Sequence, residues 1–327
     1  MEKVLTVAIP AFNVGRYLRD GIKTFLHSEI LDDIEILIIN DGSKDDTAAI
    51  GMAYQKEYPG TIVLVNKENG GHGSAINEGI ARATGKYFKV VDGDDWVKAD
   101  SFINYVKALK KLETDVVMTP FTRINDTTGG REERGFTGIQ FDETYHVGEA
   151  IGLLGDRYQM HSVTFRTAIL KKIPKISEHC FYVDQEYIAY PIKYAKSAFF
   201  LNEAVYQYRI GNDEQSMFIK NMQKNRDMHL RVIKNILGFL KYEELEQWQI
   251  DFLEDRIKGL CVRQIRIYLS LDDRINARKE LDGFTDFLQK EAPNLYRSLK
   301  GKMAWLLRVS GNRCYRLLAV WNIWRGK

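Results

Sequence analysis

Apolar residues in the first hundred positions come in short unbroken runs, each followed by a polar turn and then by a helical repeat. Val4 to Ile9 is the first run, stopped by Pro10, and Tyr17, Leu18, Ile22, Phe25 and Leu26 follow it at helical spacing. Ile34 to Ile39 repeats the arrangement, with Asn40-Asp41-Gly42-Ser43 as the turn and a helix starting near Asp45 to Thr47. Ile62 to Val65 is the third run, followed by the Gly-rich loop Asn69 to Ser74 and a helix through Ala75, Ile76, Ile80 and Ala81. Tyr87 to Val91 is the fourth, and it ends in Asp92-Gly93-Asp94-Asp95. Runs apolar on both faces predict buried strands, so the class is α/β with an open, mainly parallel sheet. Ligands of such sheets sit at the carboxyl ends of the strands, where all these loops lie.

Farther along, Ser101 to Leu112 reads as a helix and Asp115 to Thr119 as a strand, while Arg123 to Phe141 reads as short strands or a mobile loop over the cleft. Met160 to Phe165 and Ala204 to Arg209 are further strand candidates. From Ile219 onward the repeat is helical, which places a domain change near Phe218 and predicts two regions, 1–218 and 219–327. Within the first, residues 1–100 and 101–218 read as two halves.

The acidic turn is the first candidate for chemistry. Carboxylates so close repel unless a cation sits among them, and Mg²⁺ or Mn²⁺ carrying phosphate suits oxygen ligands, although Asp94 or Asp95 could instead enter the next helix. Asp41 can accept from a base edge or a ribose hydroxyl, or close its own Asx turn. The glycines of the third loop can bring backbone N–H groups to phosphate, but their pattern is neither a P-loop nor GxGxxG. His72 shows no partner at ligand spacing, and His161 reads as structural before catalytic. Asp184 sits among Phe181, Tyr182 and Tyr187, where apolar neighbours can turn a carboxylate into a base; alternatively Asp184 caps a helix and Glu186 is a first-turn acid.

Taken in order, Ile9 to Asn13, Asn40 to Ser43 with Asp46 and Thr47, Asn69 to Asn77, and Asp92 to Asp95 resemble the signature of glycosyltransferase family 2. The resemblance covers about the first hundred residues. It implies the GT-A fold, a nucleotide-binding α/β domain, with Pro10, Ala11, Phe12 and Asp41 on the nucleoside. It further implies Asn69, Gly73 and Gly93 at the donor, Asp92 at the ribose or metal, and Asp94 on a metal that bridges the diphosphate. Phe181 to Ile188 is similar to the family's Glu-Asp motif; Val183 stands in the place of the glutamate, and Asp184 is in register as the acid that takes the acceptor proton. A Tyr-x-Tyr-Arg and Gln-Ser pair similar to the family's makes Arg209 and Gln215 candidates for the diphosphate or acceptor.

The implied activity is inverting transfer of a hexose from a UDP-sugar to a hydroxyl of a glycan, glycolipid or glycoprotein, with Mn²⁺ or Mg²⁺, in polysaccharide biosynthesis. A sugar-nucleotide-binding module without turnover is the rival. A sugar nucleotidyltransferase is disfavoured because Pro10 to Asn13 is short and uncharged where triphosphate would need a long basic loop.

Charge changes the picture only at the end of the chain. Of a net +3, the stretch from Arg297 to Lys327 contributes eight Lys/Arg and no Asp/Glu, leaving −5 for the rest. That excludes a basic face over the main body and any nucleic-acid partner there. In the tail, Met303, Leu307, Cys314, Leu318 and Trp321 share one helical stripe with Arg308 and Arg316 opposite, while Gly311 is a candidate break and Trp305 and Ile323 fall off the stripe. Such a helix suits an anionic membrane surface or a second copy of the chain. Three scattered cysteines give no disulfide framework or zinc site. With no signal peptide and no run able to span a bilayer, a cytoplasmic protein, peripheral at the inner face of the membrane, is expected.

Overall fold

The computed structural model describes residues 3–154, 157–211 and 218–325, the last four without side-chain detail. Two compact units divide the chain, residues 1–212 and 213–327.

The first unit begins as the hydrophobic pattern predicts. Strand β1 (Leu5–Ala11) leads to helix α1 (Gly15–Lys23), β2 (Ile34–Asp41) to α2 (Thr47–Glu57), β3 (Ile62–Lys67) to α3 (His72–Arg82), and β4 (Tyr87–Val90) to a short β5 (Trp96–Val97) and α4 (Ala99–Leu109). Next come β6 (Val116–Met118), β7 (Phe121–Asn125), β8 (Arg131–Arg134), β9 (Thr144–His146), α5 (Val147–Leu154), β10 (Val163–Arg166) and α6 (Thr167–Leu170). The unit closes with α7 (Asp184–Ala189), β11 (Ser197–Phe200) and β12 (Tyr206–Ile210).

Eight strands form the main sheet in the order β3-β2-β1-β4-β10-β6-β11-β9. The first four are mutually parallel, β10 runs antiparallel to both its neighbours, and β6 and β11 are parallel to each other. A second sheet, β5-β12-β7-β8, carries the chain from β7 into an antiparallel hairpin with β8. Within the Arg123 to Phe141 stretch, the end of β7 and all of β8 are strand, joined by a turn over 126–130.

Pro10 does not stop β1. It pairs in register with Ile39, and the strand continues to Ala11. In a parallel ladder alternate residues face opposite neighbours; Ala8 faces β4, accepting from the Val91 N–H, so Pro10 faces that side too, where β4 has already ended. The missing N–H therefore costs no ladder bond. Gly93 fits against the same spot, because a Cβ there would lie 2.9 Å from the Pro10 carbonyl oxygen.

The second unit is helical: α8 (Ile219–Lys224), α9 (Arg226–Tyr242), α10 (Gln247–Ser270), α11 (Arg274–Glu291), α12 (Pro293–Ser298), α13 (Lys302–Ser310) and α14 (Tyr315–Arg325). Val232, Ile236, Leu253, Ile257, Leu281 and Leu288 fill its core. The single tail stripe expected from the sequence is broken by Gly311, which ends α13 in the left-handed region at φ 55°. Leu307 and Leu318 are buried within their own unit, and Arg308, half-buried, donates to the carbonyls of Tyr296 and Leu299 at 3.1 and 3.3 Å rather than lying free opposite them. Ile323 lies outside the residues whose side chains are described. Among the described residues no helix is long and apolar enough to cross a membrane.

Candidate active site

The carboxyl ends of β1, β2 and β3 are laced into one lip. Asn13, at φ 54°, receives Ser43 Oγ at its N–H, and its side-chain oxygen accepts from the Lys44 N–H at 2.8 Å. Asp41 is buried at the end of β2 and organises the Gly-rich loop. Its carboxylate accepts from Lys67 Nζ at 2.8 Å, Gly70 N–H at 2.9 Å and Gly71 N–H at 2.8 Å, while Asn69 donates to its carbonyl at 2.9 Å. Oδ2 accepts one of these bonds only, so it keeps a lone pair. Phe12 stands half-exposed just beyond β1.

Segment 176–180 is clamped onto this loop from behind. Asn77 holds the Ile176 backbone through both its amide atoms, at 2.9 and 3.0 Å, and His179 N–H donates to the Gly70 carbonyl. A Cβ on Gly73 would lie 2.1 Å from the Ser177 carbonyl oxygen. Its glycine identity therefore serves this packing, a reason that sequence reading had not separated from donor binding. Glu186 is fully buried and accepts from the Ser177 N–H at 2.7 Å and hydroxyl at 3.0 Å. It is the first-turn acid of α7 that the sequence suggested, and it serves as an internal brace. A cavity of about 450 Å³ adjoins the loop, bounded by Lys67, Asn69, Lys175 and His179 among others; Asp92, Asp94 and Asp184 do not line it.

The acidic turn divides its three carboxylates among different tasks. Asp95 is buried and joined to β12, accepting from Tyr206 O–H at 2.6 Å and Arg209 N–H at 2.7 Å. Burial, then the charges of Asp94 and Asp92, raise its pKa. It holds the turn in place and does not enter a helix, since α4 begins after Lys98. The same Tyr206 oxygen accepts from the Asp92 N–H at 3.1 Å. Arg209 is partly buried. Its guanidinium lies between the rings of Tyr17 and Trp96, 4.6 and 4.7 Å from their centroids, and donates to the Asp94 carbonyl at 2.8 Å and to Asp126. Gln215 lies outside the described residues.

Asp92 and Asp94 are partly exposed. Asp92 meets His72 Nε2 at 2.8 Å, the partner that His72 lacked in the sequence. Burial works against ionisation of both, but their mutual attraction outweighs it, raising the His72 pKa and lowering that of Asp92. The Asp94 carboxylate receives no donor from another residue among those described, and burial followed by the Asp92 charge pushes its pKa up to about 6. A carboxylate held above its ordinary range by a like-charged neighbour is suited to a cation.

A second observation points the same way. One ligand atom each of Asp92, Asp95 and His161 lie within 4.8 Å of one another, and His161 Nδ1 is buried without a hydrogen-bond partner. Burial lowers the His161 pKa to about 4, so its imidazole is neutral and able to ligate. Its ring stacks on Tyr208 at 4.1 Å, so it is also a packing residue, as expected. Asp92 is common to this set and to the Asp92–Asp94 pair, so carboxylate and neutral imidazole donors suited to a divalent cation gather around it, although Asp95 already accepts on both oxygens.

Asp184 is the first residue of α7, and Val183, not Asp184, occupies the capping position. Gln185 Nε2 donates to its carboxylate at 2.6 Å. The charges of Asp184, Asp92 and Asp94 all bear on His72, and all three bear on Tyr208 as well, so the head of α7 lies near the acidic turn. Just before it, Tyr182 is held at φ 66° and His179 at φ 51°, left-handed conformations rare for such side chains. Behind the cleft Lys89, wholly buried in β4, donates to the His161 and Val163 carbonyls at 3.0 and 3.3 Å, and burial lowers its pKa to about 7.

Residues 6–173 match Glycosyl transferase family 2, just over half of the 327-residue chain. The chain is 28% identical over 251 residues to the minor teichoic acid biosynthesis protein GgaB of Bacillus subtilis (strain 168), covering 73% of this chain and 27% of that protein. It is 24% identical over 222 residues to glycosyltransferase GlyA of Streptococcus pneumoniae serotype 4, covering 64% and 31%. The chain therefore spans about a third or less of the length of these two relatives. S. aureus TarS 1-349, solved in complex with UDP-GlcNAc, superposes with a TM-score of 0.66 at 18% identity, over 98% of this chain and 89% of that one. The mannosyltransferase PcManGT from Pyrobaculum calidifontis, in complex with GDP-Man and Mn²⁺, gives 0.52 at 13% identity, over 99% and 85%. These likenesses bear out the expected GT-A architecture, a mainly parallel sheet followed by a helical region. On the family match and the shared fold together, the chain belongs to glycosyl transferase family 2.

Proposed function

We propose that the chain is an inverting hexosyltransferase that uses a UDP-sugar and a hydroxyl acceptor on a glycan, glycolipid or glycoprotein. The observation that carries this reading is that Asp184 and the Asp92–Asp94 pair act on the same two residues, His72 and Tyr208, from separate elements. Asp184 would take the acceptor proton as the acceptor oxygen bonds to the anomeric carbon. The bond from that carbon to the diphosphate breaks on the opposite face, so configuration inverts and UDP leaves. Asp94, with Asp92, would hold Mn²⁺ or Mg²⁺, whose chemistry is charge neutralisation on the departing diphosphate. We favour Asp94 over Asp95 as a ligand because both Asp95 oxygens already serve Tyr206 and Arg209.

Uridine is supported by the free lone pair of Asp41, which can accept from the uracil N3–H, whereas cytosine N3 has no hydrogen to give. The UDP-GlcNAc complex of TarS supports the same donor class, and GgaB supports bacterial glycan synthesis as the setting. Phe12, Pro10 and Ala11 at the end of β1 would bound the nucleoside, and the Asn69 loop and Gly93 would shape the donor's phosphate end. In this scheme residues 1–218 carry catalysis, 1–100 for the donor and 101–218 for the acceptor side, and 219–327 form the helical appendage. A panel of nucleotide sugars, each with Mn²⁺ or Mg²⁺, tests the proposal. UDP release is expected with at least one UDP-hexose, and absence of both binding and release across all UDP-sugars would reject it.

A further inference from the structure

We propose that the outward faces of α13 and α14 dock on an anionic lipid leaflet. The faces differ from the stripe visible in the sequence. Ala304, Leu307, Tyr315, Leu318 and Ala319 are buried, so the inner face of the segment already has its packing. Trp305, Val309, Leu317 and Val320 remain 53%, 59%, 76% and 61% exposed. Trp305 and Val309 stand four apart on one helix, and Leu317 and Val320 three apart on the other, so each pair shares a face.

The cations lie with them. Lys302, Arg313 and Arg316 are exposed, as are Arg297 and Lys300 just before, and no Asp or Glu occurs from Arg297 to Lys327. Elsewhere on the chain exposed cations are mixed with acids, as in the Lys107–Glu29 and Lys110–Asp33 pairs. The turn between the two helices is anchored rather than loose. Asn312 is buried and donates to Asp282 and Thr285 at 2.8 Å each, while Arg278 donates to the Gly311 and Asn312 carbonyls.

Charge complementarity selects the occupant. Two copies meeting through this segment would bring cations against cations, with no acid between Arg297 and Lys327 to offset them, and nucleic acid would leave the four apolar side chains unused. A leaflet carrying anionic headgroups over an acyl interior takes both, with Trp305 at the interface where indole rings settle. At 11 residues α14 is too short to span and can lie flat.

The test uses the full chain with phosphatidylcholine vesicles, with and without phosphatidylglycerol, read by co-sedimentation. Binding is expected only where phosphatidylglycerol is present, and it should weaken as salt rises. Arg313→Gln with Arg316→Gln should lower the partition coefficient about twenty-fold, and Trp305→Ser with Leu317→Ser by about tenfold or more. All four side chains are exposed, so thermal melting should be unchanged and separates lost docking from lost fold. No sedimentation of the parent, equal binding to neutral vesicles, or unaltered binding by both variants would overturn the proposal. So would a concentration-dependent dimer that either variant abolishes, which would assign the face to a second copy.

Discussion

The Gly-rich loop after β3 and the acidic turn after β4 lie on the same edge of the same sheet, yet they treat their carboxylates in opposite ways. Around the loop, Asp41 receives three donors and Glu186 two, all from this chain. In the turn, the Asp94 carboxylate receives none from another described residue, and it stands beside Asp92 with its pKa pushed up to about 6. The first region spends its acids on holding backbone in place; the second leaves a charge for something outside the chain to neutralise. Asp95 shows that the division does not follow position in sequence. It adjoins Asp94 but is fully engaged by Tyr206 and Arg209.

Substitutions should separate the two regions cleanly. Asp94→Asn is expected to lower turnover at least about a hundredfold, the scale of the several kcal/mol a charge-neutralising cation supplies. Its melting temperature near neutral pH should stay level or rise, because a repelled charge is removed. Gly73→Ala should do the reverse. The new Cβ would sit 2.1 Å from the Ser177 carbonyl oxygen, and overpacking of this kind costs about 1–3 kcal/mol, readable by urea denaturation. Tyr206→Phe removes the hydroxyl that links Asp92 to Asp95, so a loss of about 1–2 kcal/mol is expected, accompanied by weaker donor binding as the turn loosens.

The smallest effect is in pH. The folded pKa of Asp94, about 6, lies above its ordinary 3.8, so the native state keeps a proton that the unfolded chain has lost. Its contribution to stability is therefore greatest below the lower value and declines as pH rises through the higher one. A cation competes with that same proton. The rise in melting temperature caused by Mn²⁺ should be slight below about pH 5 and full above about pH 7. A cation effect that is independent of pH, or absent from the parent while present in Asp94→Asn, would break the comparison.

The parallel half of the main sheet was legible because β1, β2 and β4 are buried on both faces and read as unbroken apolar runs, while β3, at the sheet edge with Val63 exposed, still showed a short apolar run. Short strands such as β5 and β9 left no such trace, since two or three residues carry no period and are held by partners far along the chain. The acids of the site could be found by type and spacing, but not their duties. Asp94 and Asp95 are told apart only by Tyr206 and Arg209, more than a hundred residues away. His72 acquires a partner twenty residues on, when two strands bring their carboxyl ends together. The tail stripe was half right. Leu307 and Leu318 do pack inward, and Gly311, the candidate break, does end α13, but Trp305, Val309, Leu317 and Val320, which are not on that stripe, stand outside.

Everything proposed for the reaction converges on Asp184, which lies beyond the family match yet bears on His72 together with the acidic turn. Turnover of Asp184→Asn, measured beside its affinity for UDP and its melting temperature, tests the account most directly. Loss of a positioned general base predicts a fall in kcat of about 10²–10⁴-fold with UDP binding and stability preserved. Turnover equal to that of the parent would contradict it.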